Sequence, residues 1–177
     1  MAKEKKLVVF CSSSYDIDPE YNQAARDLIR AACLYGYDIV SGGAIKGTMG
    51  VVSDEAAAIG VKHKGALPHF MEKFKHPQLD ELVWTDTMAE RKEKMREGSS
   101  VAVALPGGIG TLDELIETHV LAKLDKYSGK IFALNINGFY EPLKVLFSHY
   151  VATGMMEQKD ADLVNFVDSV EELSKYL

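Results

Sequence analysis

Only two cysteines, Cys11 and Cys33, occur in the 177-residue chain, and neither belongs to a Cys-x-x-Cys pair or a Cys/His cluster. A disulfide framework and a zinc site of the usual spacing are both excluded, and so little cysteine fits a reducing, cytoplasmic location. No apolar run approaches the roughly 18 residues of a membrane-spanning helix, since Pro106 and the stretch 60–64 interrupt the longest candidates. The first apolar run, 7–11, follows Ala2-Lys3-Glu4-Lys5-Lys6; it is too short for a secretory core and lacks a small-residue cleavage site. The mature chain is therefore expected to begin near Met1. There is no excess of positive charge either: the formal net charge is -6 and the basic residues are scattered. The stripe of Lys and Arg that grips nucleic-acid phosphates is missing, so neither nucleic acid nor a membrane is an expected partner. Repeats and low-complexity tracts are absent as well. What is present is 47% hydrophobic and 26% charged residues, an ordinary globular balance in a chain whose length suits one domain, 1–177.

Short β-rich apolar runs at 7–11, 37–41, 63–67, 82–85, 101–105, 131–135 and 164–167 alternate with helical patterns. That rhythm predicts an α/β fold with three α/β/α layers, a Rossmann-like doubly wound parallel sheet. Asp18 as N-cap and Pro19 at the first helical position open the first helix, which stops at Gly36. Further helices are expected from the glycine loop 42–50 to about Gly60, and over 87–97, 111–126, 140–153 and 169–176. The stretch 69–80 reads as a loop or a short helix. In open parallel sheets ligands bind beyond the carboxyl ends of the strands, and both glycine-rich segments of this chain fall there.

The first of them, Gly42-Gly43-Ala44-Ile45-Lys46-Gly47-Thr48-Met49-Gly50, lacks the Lys-Ser/Thr pair that a P-loop needs after its last glycine. It either presents backbone amides to an anion or lets a helix pack tightly on the sheet. The second, Pro106-Gly107-Gly108-Ile109-Gly110-Thr111, follows the cleanest strand. A dinucleotide fingerprint would need a further glycine at 113, where Asp113 stands. What remains is a compact turn whose amides and Thr111 hydroxyl suit one phosphate at a helix start. Thr111 to Glu114 also matches a capping box, which would use Glu114 locally. Helical periodicity places Leu112, Leu115, Ile116 and Val120 on one face and turns Glu114 and Glu117 outward. Upstream, Met88 and Met95 share a helix face with Arg91 beside it. Arg91 then either points partly inward and needs a carboxylate, phosphate or carbonyl partner, or snorkels to water.

Together these segments resemble the LOG ("lonely guy") family of cytokinin riboside 5'-monophosphate phosphoribohydrolases, often labelled lysine decarboxylases. The family mark Pro-Gly-Gly-x-Gly-Thr-x-x-Glu stands complete at 106–114, and Met-x-x-Arg-Lys is Met88, Arg91 and Lys92. Weaker matches are Val8 to Ser13, Met49-Gly50, and Asn135-x-x-Gly138-Phe139-Tyr140-x-Pro142-Leu143. The resemblance implies that Arg91 and Glu114 are catalytic and that Gly107, Gly108, Ile109, Gly110 and Thr111 hold a 5'-phosphate. It also implies substrate contacts from Lys92, Thr118 and Glu72, the last after a one-residue shift. The implied reaction releases adenine or an N6-modified adenine and ribose 5-phosphate from a nucleoside 5'-monophosphate, with no metal or redox cofactor, in a homodimer. Cys11-Ser12-Ser13 and Gly47-Thr48-Met49-Gly50 depart from the family's Cys-Gly-Ser and Gly-Leu-Met-Gly, which bears on base preference. The alternative is a non-hydrolytic nucleotide or molybdenum-cofactor-type carrier. Decarboxylation with pyridoxal phosphate would need a lysine that neither loop singles out.

Overall fold

The computed structural model describes residues 5–177; the leader reading of Ala2-Lys3-Glu4 lies outside them. Seven strands form one all-parallel sheet: β1 (Lys5–Phe10), β2 (Tyr37–Ser41), β3 (His63–Pro68), β4 (Glu81–Thr85), β5 (Val101–Ala104), β6 (Lys130–Leu134) and β7 (Val164–Val167). Their order is β4-β3-β2-β1-β5-β6-β7. The expected doubly wound α/β fold is the observed one. Residues 7–10 of β1 and all of β5 are apolar and buried, because both faces of the sheet are covered there. Along β1 the side chains alternate between two cores: Leu7 and Val9 pack with one, Val8 and Phe10 with the other.

The first core is closed by α1 (Pro19–Leu34), α2 (Gly47–Ile59) and α7 (Val170–Ser174), the second by α3 (Met88–Arg96), α4 (Ile109–Lys123) and α5 (Glu141–Ala152). Asp18 caps α1 by accepting from the Glu20 amide at 2.9 Å, with Pro19 at the first position as expected. Residues 69–80 hold a 3-10 segment, His69–Phe74, and then an extended crossing bridged to Ala44 by Lys75. A short helix, α6 (Gln158–Ala161), has no counterpart in the sequence expectations. No described helix is long and apolar enough to cross a membrane.

His63, buried on β3, meets the Ser41 hydroxyl at 2.8 Å. Burial first, and His76 nearby second, pull its pKa from 6.5 down to about 4, against the opposing effect of Asp80. The folded protein therefore holds it neutral while the unfolded chain protonates below 6.5. Stability contributed by His63 is full above pH 6.5 and is lost as pH falls towards 4, by about 3 kcal/mol. Urea unfolding at several pH values should show this as a difference between wild type and His63→Gln, with the variant losing less over that window.

Candidate active site

The helices after β1 and β5 leave the sheet on opposite faces, so the loops at the carboxyl ends of these neighbouring strands diverge and open a crevice. A cleft of about 360 Å³ lies there, of the size that small-molecule sites have. It is lined by Cys11 to Ser14 beyond β1, by Gly42 and Met49, by Arg91 and Met95 of α3, and by Gly108 to Thr111 and Glu114. Met71 of the 3-10 segment completes it. A larger hollow of about 820 Å³ lies at the opposite ends of β1 and β5, beside Lys5, Ser99 and Ser100. Glu90, Glu93, Glu97 and Glu117 line that hollow with Lys5, Arg96 and Lys126, and Arg96 is already paired with Glu117, so carboxylates outnumber cations there and disfavour a phosphate.

The second glycine loop leads directly into the start of a helix. Helix α4 begins two residues before the expected start, with Gly108 as N-cap and its first bond running from the Leu112 amide to the Gly108 carbonyl (3.1 Å). The amides of 109–111 thus have no acceptor within the helix, and the positive end of its dipole faces the cleft. The capping-box reading of Thr111 and Glu114 is corrected: Thr111 lies inside the helix, and the cap makes no side-chain bond. The glycines divide by cause. A Cβ on Gly107 would stand 2.1 Å from the Thr111 hydroxyl oxygen, so packing within the loop requires that glycine. Gly108 and Gly110 would meet no protein atom within 4 Å; their bare backbone leaves room on the cleft side for an outside group.

The expected orientation of α4 is also corrected. Its buried residues are Thr111, Glu114, Leu115, Thr118 and His119, whereas Val120 is 46% exposed and Leu112 and Ile116 are half-buried. Periodicity counts apolar side chains and misses the partners that make polar burial tolerable. Thr118 donates to the Glu114 carbonyl at 2.7 Å, and His119 bonds the Asp160 carbonyl at 2.7 Å. Glu114 itself is 8% exposed, and Arg91 supplies the opposing charge. Burial pushes its carboxyl from 4.5 up to about 7, with Arg91 pulling it back and Asp113 adding to the rise.

Arg91 is 5% exposed, which decides between the inward and snorkelling alternatives. Its Nε donates to the Ala66 carbonyl at 3.0 Å and its Nη2 to the Gly42 carbonyl at 3.1 Å. β3 and the residue that follows β2 thus anchor the guanidinium, Nη2 also reaches Met49 Sδ at 4.0 Å, and Nη1 takes no part in these bonds. Burial lowers its pKa, while Glu114 raises it. Met88 does not share this environment; it is 41% exposed, whereas Met95 is buried. The thiol of Cys11 is pushed far above its ordinary range by burial and by Glu114, so it stays protonated beside them.

The first glycine loop serves mainly as packing. A Cβ on Gly47 would meet the Ser14 carbonyl at 2.5 Å, and one on Gly50 would meet that of Ile45 at 2.4 Å. Gly42 differs, because its Cβ would fall 2.0 Å from Arg91 Nη2, the end of a flexible side chain. Gly42→Ala should therefore fold, losing about 1–2 kcal/mol while lowering turnover about 10²-fold by displacing the guanidinium. Thermal unfolding and turnover measured on one preparation check that split.

Of the remaining expected residues, Lys92 is held by Asp113 (2.9 Å) and Glu117 (2.6 Å), and Arg96 joins Glu117 at 3.2 Å, tying α3 to α4. Lys92, Thr118 and the exposed Glu72 are not among the residues that line the cleft; Met71 takes the place beside Glu72. Met71 gave no signal in the sequence, because its segment had no clear period. Among the described residues no group of three or more His, Cys, Asp or Glu side chains is placed to hold a metal ion.

Several known proteins are similar to this chain along most of its length. A cytokinin riboside 5'-monophosphate phosphoribohydrolase of Arabidopsis thaliana is 32% identical over 182 residues, spanning 100% of this chain and 84% of its own. One from Mycobacterium marinum is 30% identical over 94% of this chain and 89% of its own. Among solved structures, the molybdenum cofactor binding protein of Rippkaea orientalis superposes with a TM-score of 0.73 at 20% identity, covering 99% of this chain and 96% of its own. The molybdenum cofactor carrier protein of Chlamydomonas reinhardtii gives 0.71 at 20%, over 98% and 95%; at such identity the likeness concerns the fold. A family profile described as "possible lysine decarboxylase" matches residues 48–177. With that match, and with relatives of this identity along nearly its whole length, the chain belongs to the LOG family.

Proposed function

We propose that the protein is a nucleoside 5'-monophosphate phosphoribohydrolase, which hydrolyses the bond from C1' to an adenine or N6-modified adenine and leaves ribose 5-phosphate. The observation that carries it is the position of Glu114, a buried carboxyl with a pKa near 7, on the helix whose free first-turn amides face the same cleft. One rigid element then holds the phosphate and the acid–base group at fixed separation. As the C1'–N bond breaks, its electron pair leaves with the base and positive charge develops on the ribose. Ionised Glu114 stabilises that charge and takes a proton from the attacking water, whose oxygen bonds to C1'; the departing base takes up a proton from solvent, and Glu114 returns its own to solvent, which closes the cycle. A group titrating near 7 is suited to both giving and taking protons at neutral pH. Arg91 keeps Glu114 partly ionised and offers its uncommitted N–H groups to the substrate.

No lysine lines the cleft among the described residues, so the decarboxylase label has no Schiff-base candidate there. A homodimer belongs to the same proposal. It is supported by the apolar rim beside the cleft, where Ile109 is 83% exposed, and by Val120, Leu146 and Met155, which leave α4, α5 and the turn after α5 with an uncovered apolar face. The test is chromatography of free base after incubation with AMP and with isopentenyladenosine monophosphate, beside Glu114→Gln. Base from the wild type and none from the variant is the expected result. A nucleotide bound and recovered intact would support the carrier instead.

A further inference from the structure

Beyond the last ladder bond of β5, from the Leu105 amide to the Phe10 carbonyl (2.9 Å), the chain turns into Pro106-Gly107-Gly108. The Leu105 carbonyl at that turn accepts a hydrogen bond from the Tyr140 hydroxyl at 2.8 Å. Tyr140 is buried, and it stands far along the chain, immediately before α5. Its backbone amide donates to Asn135 Oδ1 at 2.7 Å, and Asn135 Nδ2 donates to Glu141 (2.8 Å) and to Asp168 (2.9 Å). Asn135 follows β6, Asp168 follows β7 and Leu105 follows β5, so one polar network ties together the carboxyl ends of three adjacent strands. Phe139 packs edge-on against the Tyr140 ring at 5.0 Å, which limits the ring's freedom to move.

We propose that Tyr140 is a positioning residue for the phosphate loop: its hydroxyl fixes the peptide from which the loop departs, and Asn135 fixes Tyr140. This rests on the function proposed above, and it adds a residue that touches neither substrate nor reacting atoms. A loop that binds an anion through backbone amides depends on the orientation of its peptides before the ligand arrives. Hydroxyl loss therefore weakens phosphate binding selectively and leaves binding of the free base unchanged.

Tyr140→Phe keeps the ring and removes only the bond to Leu105. The KM for AMP and the calorimetric Kd for ribose 5-phosphate are both expected to rise about 5- to 10-fold, the worth of one hydrogen bond. The kcat should change by less than about threefold, because the lost interaction is shared by ground and transition states. Adenine affinity should not change, which a general loosening of the fold would not spare. Asn135→Ser should give the same selective pattern and carries the test alone if Tyr140→Phe does not fold. Unchanged ribose 5-phosphate affinity in both variants, or adenine binding weakened to the same degree, overturns the role of Tyr140. Wild-type protein that binds ribose 5-phosphate but releases no base overturns the hydrolase reading only, and the titrations still decide on Tyr140.

Discussion

Glu114→Gln is expected to lower kcat by about 10²–10⁴-fold, the range measured for loss of a positioned acid–base group. KM should move little, since glutamine retains the shape of the side chain and the phosphate cradle is untouched. In the wild type, kcat/KM should rise with pH through a limb near 7, where Glu114 gives up its proton, and that limb should vanish in the variant. The same substitution should stabilise the fold. A carboxyl whose pKa is raised on folding contributes stability below its unfolded value of 4.5 and loses it as pH climbs to 7. Above pH 7 the variant escapes a cost of up to about 3 kcal/mol, reduced by whatever Arg91 forfeits when its counter-charge goes. His63 changes stability in the opposite sense over much of that window, so the wild-type curve is flattened and each effect shows only against its own variant. A Glu114→Gln protein that turned over at the wild-type rate would remove Glu114 from the chemistry, whatever its melting point.

Arg91→Met should cost about 10²–10³ in kcat/KM, as loss of one preorganised electrostatic group does. It should also move the acidic limb above 7, because Arg91 is the main influence that lowers the proton affinity of Glu114. That displacement separates an electrostatic role from mere packing, since methionine fills much of the same volume. The Gly42 and Ala66 carbonyls lose their donor in the variant, and a stability loss of about 1–3 kcal/mol per unpaired group follows. Arg91→Lys should fall between the two, since a single ammonium cannot reproduce the planar fork that meets carbonyls from two strands. A pH profile unchanged in Arg91→Met would show that the pair does not work as a unit.

By itself the sequence determined the layers, the number of strands and the position of both glycine loops at the carboxyl ends of strands. Alternating β and α periods with Gly and Asp/Pro boundaries are local signals, and local sterics and hydrogen bonding decide them. The second glycine loop was legible for the same reason: its glycines and Thr111 lie within one turn of chain. What only the tertiary structure decided are the facts that depend on partners far along the chain. The side of α4 that faces inward was misjudged, because the burial of Glu114 depends on Arg91, 23 positions earlier, and that of His119 on the Asp160 carbonyl. Whether Arg91 would reach water or the interior hung on two carbonyls, at Gly42 and Ala66, that only the sheet brings side by side. Tyr140 could be read in the sequence as part of a family segment, but nothing local ties it to Leu105. Amphipathic patterns report the average cost of burying a side chain; a buried charge is settled by the one group that lies opposite it.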